Sequence, residues 1–225
     1  MKTLRAVIFD MDGLMLDTER IVRRAWEAAG RDFGTVYCVN VFEKVIGRSV
    51  KDTRIILREA FGPEFAAEAF LERADYHYSH LVREETIDLK SGLSELLDFL
   101  EERAVPKAVA TSTYRKPALF LLQKTNLFGR FQTVTTGNEV ASGKPAPDIY
   151  LKAAQGLDIP PEDCLVLEDS SPGICAAAAA GMTPILVPDL IQPSEEARQL
   201  AFRVCASLKE VMALLKEGNL FAIKP

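Results

Sequence analysis

The chain has 225 residues, 48% of them hydrophobic, with 27 Lys and Arg against 32 Asp and Glu for a net charge of −5. That length suits one substantial core with room for a smaller second unit. No basic run forms a stripe that could follow a phosphate backbone, which argues against nucleic acid as a partner. The basic start Met1-Lys2-Thr3-Leu4-Arg5 leads into an apolar run that Asp10 cuts short. It reads as neither a signal peptide nor a membrane span, so no membrane association and a cytoplasmic location are expected by default. Cys38, Cys164, Cys175 and Cys205 are widely spaced with no C-x-x-C, and are expected as free thiols rather than disulfide or zinc ligands.

In chain order, Val7-Ile8-Phe9 is a short apolar run of the kind that forms a strand buried on both faces, and it stops at Asp10. Asp12 follows two residues on, with Gly13 allowing a sharp turn behind it. Thr18 to Ala29 has a helical pattern that Gly30 is expected to end. From about Leu16 to Thr86 strand-like runs are nearly absent, and three or four helices are expected, one opened by a capping box at Ser49-Val50-Lys51-Asp52. From about Leu89 the pattern alternates. Helices are expected at 92–103, 117–125, 147–155 and 172–180, and after Ser207, where Ser207 and Glu210 suggest a second capping box. Strands are expected at 107–110, 132–135, 164–167 and 184–187. Such alternation means βαβ units and a parallel sheet. The expected organisation is therefore α/β: a parallel-sheet core formed by residues 1–16 and 89–225, interrupted by an all-helical cap at 17–88. Hinges fall at Leu16 to Thr18 and Thr86 to Ser91, where a lid could close and exclude water.

Three further polar clusters follow apolar strand runs as Asp10 does: Thr111-Ser112-Thr113, Gly143-Lys144-Pro145 and Glu168-Asp169-Ser170-Ser171. Each alone has an ordinary explanation as a loop, turn or helix cap. Parallel strands, however, bring their carboxyl ends together, and ligands collect in the crevice beyond them. Acids for a divalent cation, hydroxyls and backbone N–H groups for anionic oxygens, and one lysine for charge form the inventory that a phosphoryl group needs.

Asp10-Met11-Asp12-Gly13, Thr111-Ser112, Lys144-Pro145-Ala146-Pro147-Asp148 and Glu168-Asp169-Ser170-Ser171-Pro172-Gly173 resemble the four ordered motifs of the haloacid dehalogenase superfamily. The likeness covers nearly the whole chain. It implies a Rossmann-like core with a helical cap inserted after the first motif, as in the subgroup of β-phosphoglucomutase and the small-metabolite phosphatases. The segments Gly13 to Arg20 and Val187-Pro188-Asp189 are similar to the pseudouridine-5′-phosphatases of that subgroup.

The resemblance implies Asp10 as the nucleophile that becomes an aspartyl phosphate and Asp12 as the acid and base serving the leaving group and water. It implies Mg²⁺ held by an Asp10 carboxylate oxygen, the Asp12 carbonyl and Asp169, with Glu168 in support. Thr111 and Ser112 would bind phosphoryl oxygens, and Lys144 would offset their charge. The expected partner is a small phosphorylated metabolite, with Arg23, Trp26, Arg48 and Lys51 of the cap as candidates for selecting it. Oligomeric state is not legible.

Alternatives remain. Asp12 argues against the family's dehalogenases, which lack that acid, and its ion-pumping ATPases, which carry Thr there. A phosphonate-cleaving relative would need a Schiff-base lysine from the cap, for which Lys44 and Lys51 are candidates. The sugar-phosphate mutase is the nearest competitor, but its cap histidine falls at Val22 and two of its basic positions at Ile46 and Val50. Arg48 and Lys51 are near but offset, so hydrolysis is favoured. His77 and His80, at i and i+3, are better explained by a solvated helix face than by a shared metal. The residues from Gly137 to Lys144 superficially resemble a P-loop, but the spacing is one residue too long and Pro145 stands where Ser or Thr is needed. A non-catalytic phosphometabolite-binding module is the alternative of another class, and the presence of both Asp10 and Asp12 argues against it.

Overall fold

The computed structural model describes residues 2–35, 39–45, 50–217 and 221–223, with side chains left undescribed at 2, 39, 40, 43, 50, 51 and 221–223. Strands β1 (Lys2–Leu4) and β2 (Ala6–Phe9) come first. Helices α1 (Glu19–Asp32), α2 (Val39–Val45), α3 (Val50–Phe61) and α4 (Ala67–Glu84) follow. Alternation then begins with α5 (Leu93–Glu101), β3 (Lys107–Thr111), α6 (Arg115–Lys124), β4 (Thr133–Thr136) and α7 (Asp148–Leu157). It continues through β5 (Cys164–Glu168), α8 (Ser171–Ala179), β6 (Thr183–Leu186), α9 (Glu195–Leu200) and β7 (Arg203–Val204). Helix α10 (Leu208–Lys216) and strand β8 (Phe221–Ile223) close the described chain.

The chain divides into two compact units, Met1–Asp17 with Asp88–Pro225, and Thr18–Ile87. In the first, six strands form a sheet in the order β4-β3-β2-β5-β6-β7, every neighbour parallel. β2, β3, β5 and β6 are buried along their whole length, as continuous apolar runs in a two-sided parallel sheet should be. On one face Ile8, Ala108 and Val166 pack with Tyr150, Ala153 and Ala154 of α7 and Ala176 and Ala177 of α8; the many alanines let helix and sheet approach closely. The chain builds outward from β2 through β3 and β4 on one side and through β5, β6 and β7 on the other. β2 therefore lies where strand order reverses, the position at which open α/β sheets place their ligand crevice. β1 and β8 form a separate parallel pair.

The two segments that lead to the helical unit run side by side. Leu16 and Leu89 form an antiparallel bridge, the Asp17 N–H donates to the Asp88 carbonyl at 2.9 Å, and the Lys90 N–H donates to the Met15 carbonyl at 2.9 Å. Lys90 also pairs with Asp189 at 2.5 Å. The helical unit has its own core, in which α1 packs along α4 and Ala29, Leu57, Phe70 and Ala74 are buried with Phe33, Phe61 and Phe65 against them. No helix among the described residues is long and apolar enough to cross a membrane.

Several local expectations need correction. Gly30 does not end α1: it is buried inside the helix, which runs on to Asp32, and Gly34 takes the left-handed backbone with φ of 64°. Ser207 makes no side-chain cap, and the Glu210 carboxylate accepts from the Ala206 N–H at 2.6 Å. A complete capping box forms at Thr136 and Glu139, where no box was expected. The box at Ser49 lies outside the described residues, as do Arg48 and Cys38. Cys164, Cys175 and Cys205 are free.

Candidate active site

Asp10 follows the last residue of β2. Its N–H donates to the Leu167 carbonyl at 3.0 Å, so the sheet fixes its backbone one step beyond the strand. The residue is 6% exposed. Behind it the chain turns through Gly13, whose φ of +81° disfavours any side chain. A Cβ there would also run into the Asp169 carboxylate, so glycine is what lets the loop close on that acid.

Lys144, after β4, reaches across to the end of β2. Its ammonium donates to Asp10 Oδ1 at 2.5 Å, Glu168 Oε2 at 2.7 Å and the Ala110 carbonyl at 3.3 Å, which uses all three of its protons. It also lies 5.0 Å from the centroid of the Tyr150 ring. Glu168, the last residue of β5, is equally engaged. Oε2 accepts from Lys144 and from the Tyr150 hydroxyl, and Oε1 accepts from the Ser170 N–H at 3.1 Å and the Ser170 hydroxyl at 2.7 Å. Ser170 also caps α8 by accepting from the Gly173 N–H at 3.1 Å, and a Cβ on Gly173 would overlap Glu168. The first turn of α8 is thus built around this buried acid.

These groups perturb one another. Burial and the Glu168 charge push the Asp10 carboxyl up to about 8, against the opposing pull of Lys144. Burial alone would lower the Lys144 ammonium, but Asp10 and Glu168 overcome it and hold it well above its ordinary value. Burial would raise Glu168 too; Lys144, Tyr150 and Ser170 hold it below the usual range. Tyr150 is raised well above its ordinary value by burial and by Glu168, so it stays a hydrogen-bond donor.

Asp10, Glu168 and Asp169 each offer a carboxylate oxygen, and the three oxygens lie within 4.8 Å of one another. All are hard donors of the type that Mg²⁺ takes. Gly13 approaches Asp169 too closely for a side chain to stand between them. Glu168 already accepts four hydrogen bonds, so Asp10 and Asp169 are the acids whose chemistry fits a divalent cation, with Glu168 in support.

Asp12 carries a different set of contacts. Oδ2 accepts from the Thr113 hydroxyl at 2.7 Å and from the Thr111 hydroxyl at 3.3 Å. Thr111 was expected to face phosphoryl oxygens, but it is 1% exposed and its hydroxyl is engaged with Asp12 and the Thr113 N–H. Ser112, beside it, is exposed. The sheet end thus gathers Asp10, Asp12, Thr111, Lys144, Glu168 and Asp169, as the strand-end clusters implied. Thr113 and Tyr150 were missed. Alternation places Thr113 on the same side as Thr111, and a tyrosine within the apolar stripe of α7 was the other available signal.

Of the four cap candidates, Arg23, Trp26 and Lys51 belong to described helices of the helical unit, and Arg48 lies outside the described residues. Arg23 is exposed and pairs with Glu27 at 3.4 Å. Trp26 is half-buried, and its ring packs edge-on against Phe42 at 5.6 Å and Phe70 at 5.2 Å, as a large apolar ring on the α4-facing side of α1 is drawn toward the unit's core. The Lys51 side chain lies outside the described set, and Lys44 is exposed. His77 and His80 turn to separate acids, Asp32 at 2.7 Å and Glu84 at 3.1 Å.

Residues 4–181 match the family described as haloacid dehalogenase-like hydrolase. The chain belongs to the haloacid dehalogenase-like hydrolases. It is 31% identical over 222 residues to the phosphorylated carbohydrates phosphatase of Thermotoga maritima, covering 99% of this chain and 95% of that protein. It is 36% identical over 218 residues to the Drosophila melanogaster protein named "Probable pseudouridine-5'-phosphatase", covering 93% of each. Among solved structures, a haloacid dehalogenase family hydrolase of Deinococcus radiodurans R1, solved with bound phosphate and sodium, superposes with a TM-score of 0.81 at 27% identity over the whole of both chains. The parallel α/β core with helices around it is that family's fold. The chain is an enzyme of this family, and its relatives support phosphatase chemistry on phosphorylated metabolites.

Proposed function

We propose that this hydrolase is a Mg²⁺-dependent phosphatase that cleaves a small phosphate monoester, of the nucleoside or sugar phosphate class, through an aspartyl phosphate on Asp10. The observation that carries the reading is the convergence of a buried Asp10 with Lys144, Asp169 and Glu168 at one sheet end, beside an Asp12 held by hydroxyl donors.

Asp10 attacks phosphorus, a P–O bond forms to its carboxylate, and the ester P–O bond breaks. Asp12 gives its proton to the departing alkoxide. It then takes a proton from the water that attacks the aspartyl phosphate, and inorganic phosphate leaves with Asp10 restored. Lys144, buried beside Asp10, lessens the repulsion between an anionic nucleophile and an anionic ester. Asp10 and Asp169, with Glu168 in support, would hold Mg²⁺. When bound, the cation supplies positive charge that keeps Asp10 ionised and neutralises phosphoryl oxygens. The inserted helical unit is proposed as the cap that selects the organic group of the ester.

Phosphate release tests the reading, using purified protein with and without Mg²⁺ over nucleoside and sugar phosphates that include pseudouridine 5′-phosphate and β-glucose 1-phosphate. Mg²⁺-dependent release that Asp10→Asn abolishes is expected. Conversion of β-glucose 1-phosphate to glucose 6-phosphate without net phosphate release, in the presence of a bisphosphate activator, would replace hydrolysis by mutase chemistry. No turnover across the panel, with ligand binding intact in Asp10→Asn, would favour a binding module.

A further inference from the structure

Thr111, Ser112 and Thr113 leave β3 with the two threonines on one side and Ser112 exposed. The Thr113 N–H donates to the Thr111 hydroxyl oxygen at 3.1 Å, which directs the Thr111 proton onward to Asp12 Oδ2 at 3.3 Å. The Thr113 hydroxyl donates to that same oxygen at 2.7 Å. One residue therefore orients Asp12 twice, directly through its side chain and indirectly through its backbone. Its position is braced from behind: the Gly137 N–H donates to the Thr113 carbonyl at 3.2 Å, and a Cβ on Gly137 would collide with the Ser112 backbone. A threonine is also stiff at χ1, so its hydroxyl holds one direction better than a serine's would.

We propose that Thr113 is a positioning residue for Asp12, fixing the direction of its carboxyl by holding Oδ2. An oxygen that accepts two hydroxyl donors has no lone pair left for a proton of its own. In the attack step an O–H bond of the Asp12 carboxyl breaks and the proton joins the alkoxide oxygen as the ester bond opens. In the second step a water proton returns to the carboxylate. Thr113 itself exchanges nothing. This inference rests on Asp12 being the general acid.

The test compares kcat/KM, which reports expulsion of the leaving group, for phenyl phosphate and p-nitrophenyl phosphate. The nitrophenolate departs readily without a proton, whereas phenolate depends on one. Thr113→Val keeps the shape and removes the hydroxyl. It is expected to lower kcat/KM on phenyl phosphate by about tenfold, a small part of the ~10²–10⁴-fold range of general acid catalysis, and on p-nitrophenyl phosphate by much less. Thr113→Ser is expected to restore most of the loss. Equal losses on both esters, or a gain on either, would overturn the proposal, because a structural defect does not distinguish leaving groups. Asp12→Asn separates the two ideas. If it loses phenyl phosphate turnover selectively while Thr113→Val does not, the positioning role fails alone. If Asp12→Asn shows no such selectivity, the assignment of Asp12 as the acid fails.

Discussion

The Lys144 ammonium lies 2.5 Å from Oδ1 of Asp10, and the two side chains are only 6% and 8% exposed. A buried ion pair of this kind contributes little when complete but is costly to break, because the remaining partner keeps its desolvation penalty. Here two carboxylates depend on the one cation. Lys144→Met is therefore expected to destabilise the fold by about 3–5 kcal/mol, measured by urea unfolding without Mg²⁺. A loss below about 1 kcal/mol would mean that water or a neighbouring group reaches the acids in its place.

The raised Asp10 carboxyl makes a signed prediction about pH and metal. Its value in the fold is about 8 against an ordinary 3.8, so its contribution to stability is fully present below about pH 4 and is lost as pH rises through about 8. The melting temperature of metal-free protein should accordingly fall between pH 5 and pH 8.5 more steeply than that of Asp10→Asn. On the proposed function Mg²⁺ displaces a proton at the lower pH, so its stabilising shift should be larger at pH 8 than at pH 5. Calorimetric scans at both pH values with and without the ion decide it, and a Mg²⁺ shift independent of pH would contradict the burial effect.

Tyr150 is fully buried and its hydroxyl donates to Glu168, whose four hydrogen bonds come from Lys144, Tyr150 and Ser170. Tyr150→Phe keeps the ring beneath Lys144 and removes one of those four. A stability loss of about 1–3 kcal/mol is expected, the usual cost of leaving a buried acceptor short of a donor. Chemical denaturation of the two proteins side by side measures it, and unchanged stability would show that Glu168 does not need this donor.

Gly13→Ala should weaken the proposed cation site without removing any of its carboxylates. The new methyl group would need a left-handed backbone and would press on the Asp169 carboxylate. Mg²⁺ affinity measured by isothermal titration is expected to drop about tenfold or more, equivalent to at least ~1.4 kcal/mol. An unchanged affinity would place the cation away from Asp169.

The sheet was legible because β2, β3 and β5 are apolar runs that stop abruptly at Asp10, at the Thr111 cluster and at Glu168-Asp169. Parallel pairing then places their ends together. What escaped has no such local signature. β7 consists of Arg203 and Val204, both exposed, and α9 is a six-residue helix opened by Ser194, so neither produces an apolar period. Gly30 looked like a stop, yet burial of α1 against its neighbours outweighs glycine's poor helix propensity. The roles of Thr113 and Tyr150 depend on partners 101 and 18 residues away, which spacing along the chain does not reveal. Trp26 shows a different ambiguity, since an aromatic on an amphipathic helix looks equally suited to a ligand or to a core.

The Leu16–Leu89 bridge makes the helical insertion a cassette. Both ends of the 70-residue segment from Thr18 to Ile87 depart from a single antiparallel step, with Asp17 and Asp88 already hydrogen-bonded across the gap. A paired step of that kind spans only ~5 Å, the width that a two-residue reverse turn closes. The parallel sheet can therefore host a shorter or different insertion at this doorway without re-registering a strand, and the residues gathered at the strand ends would keep their places.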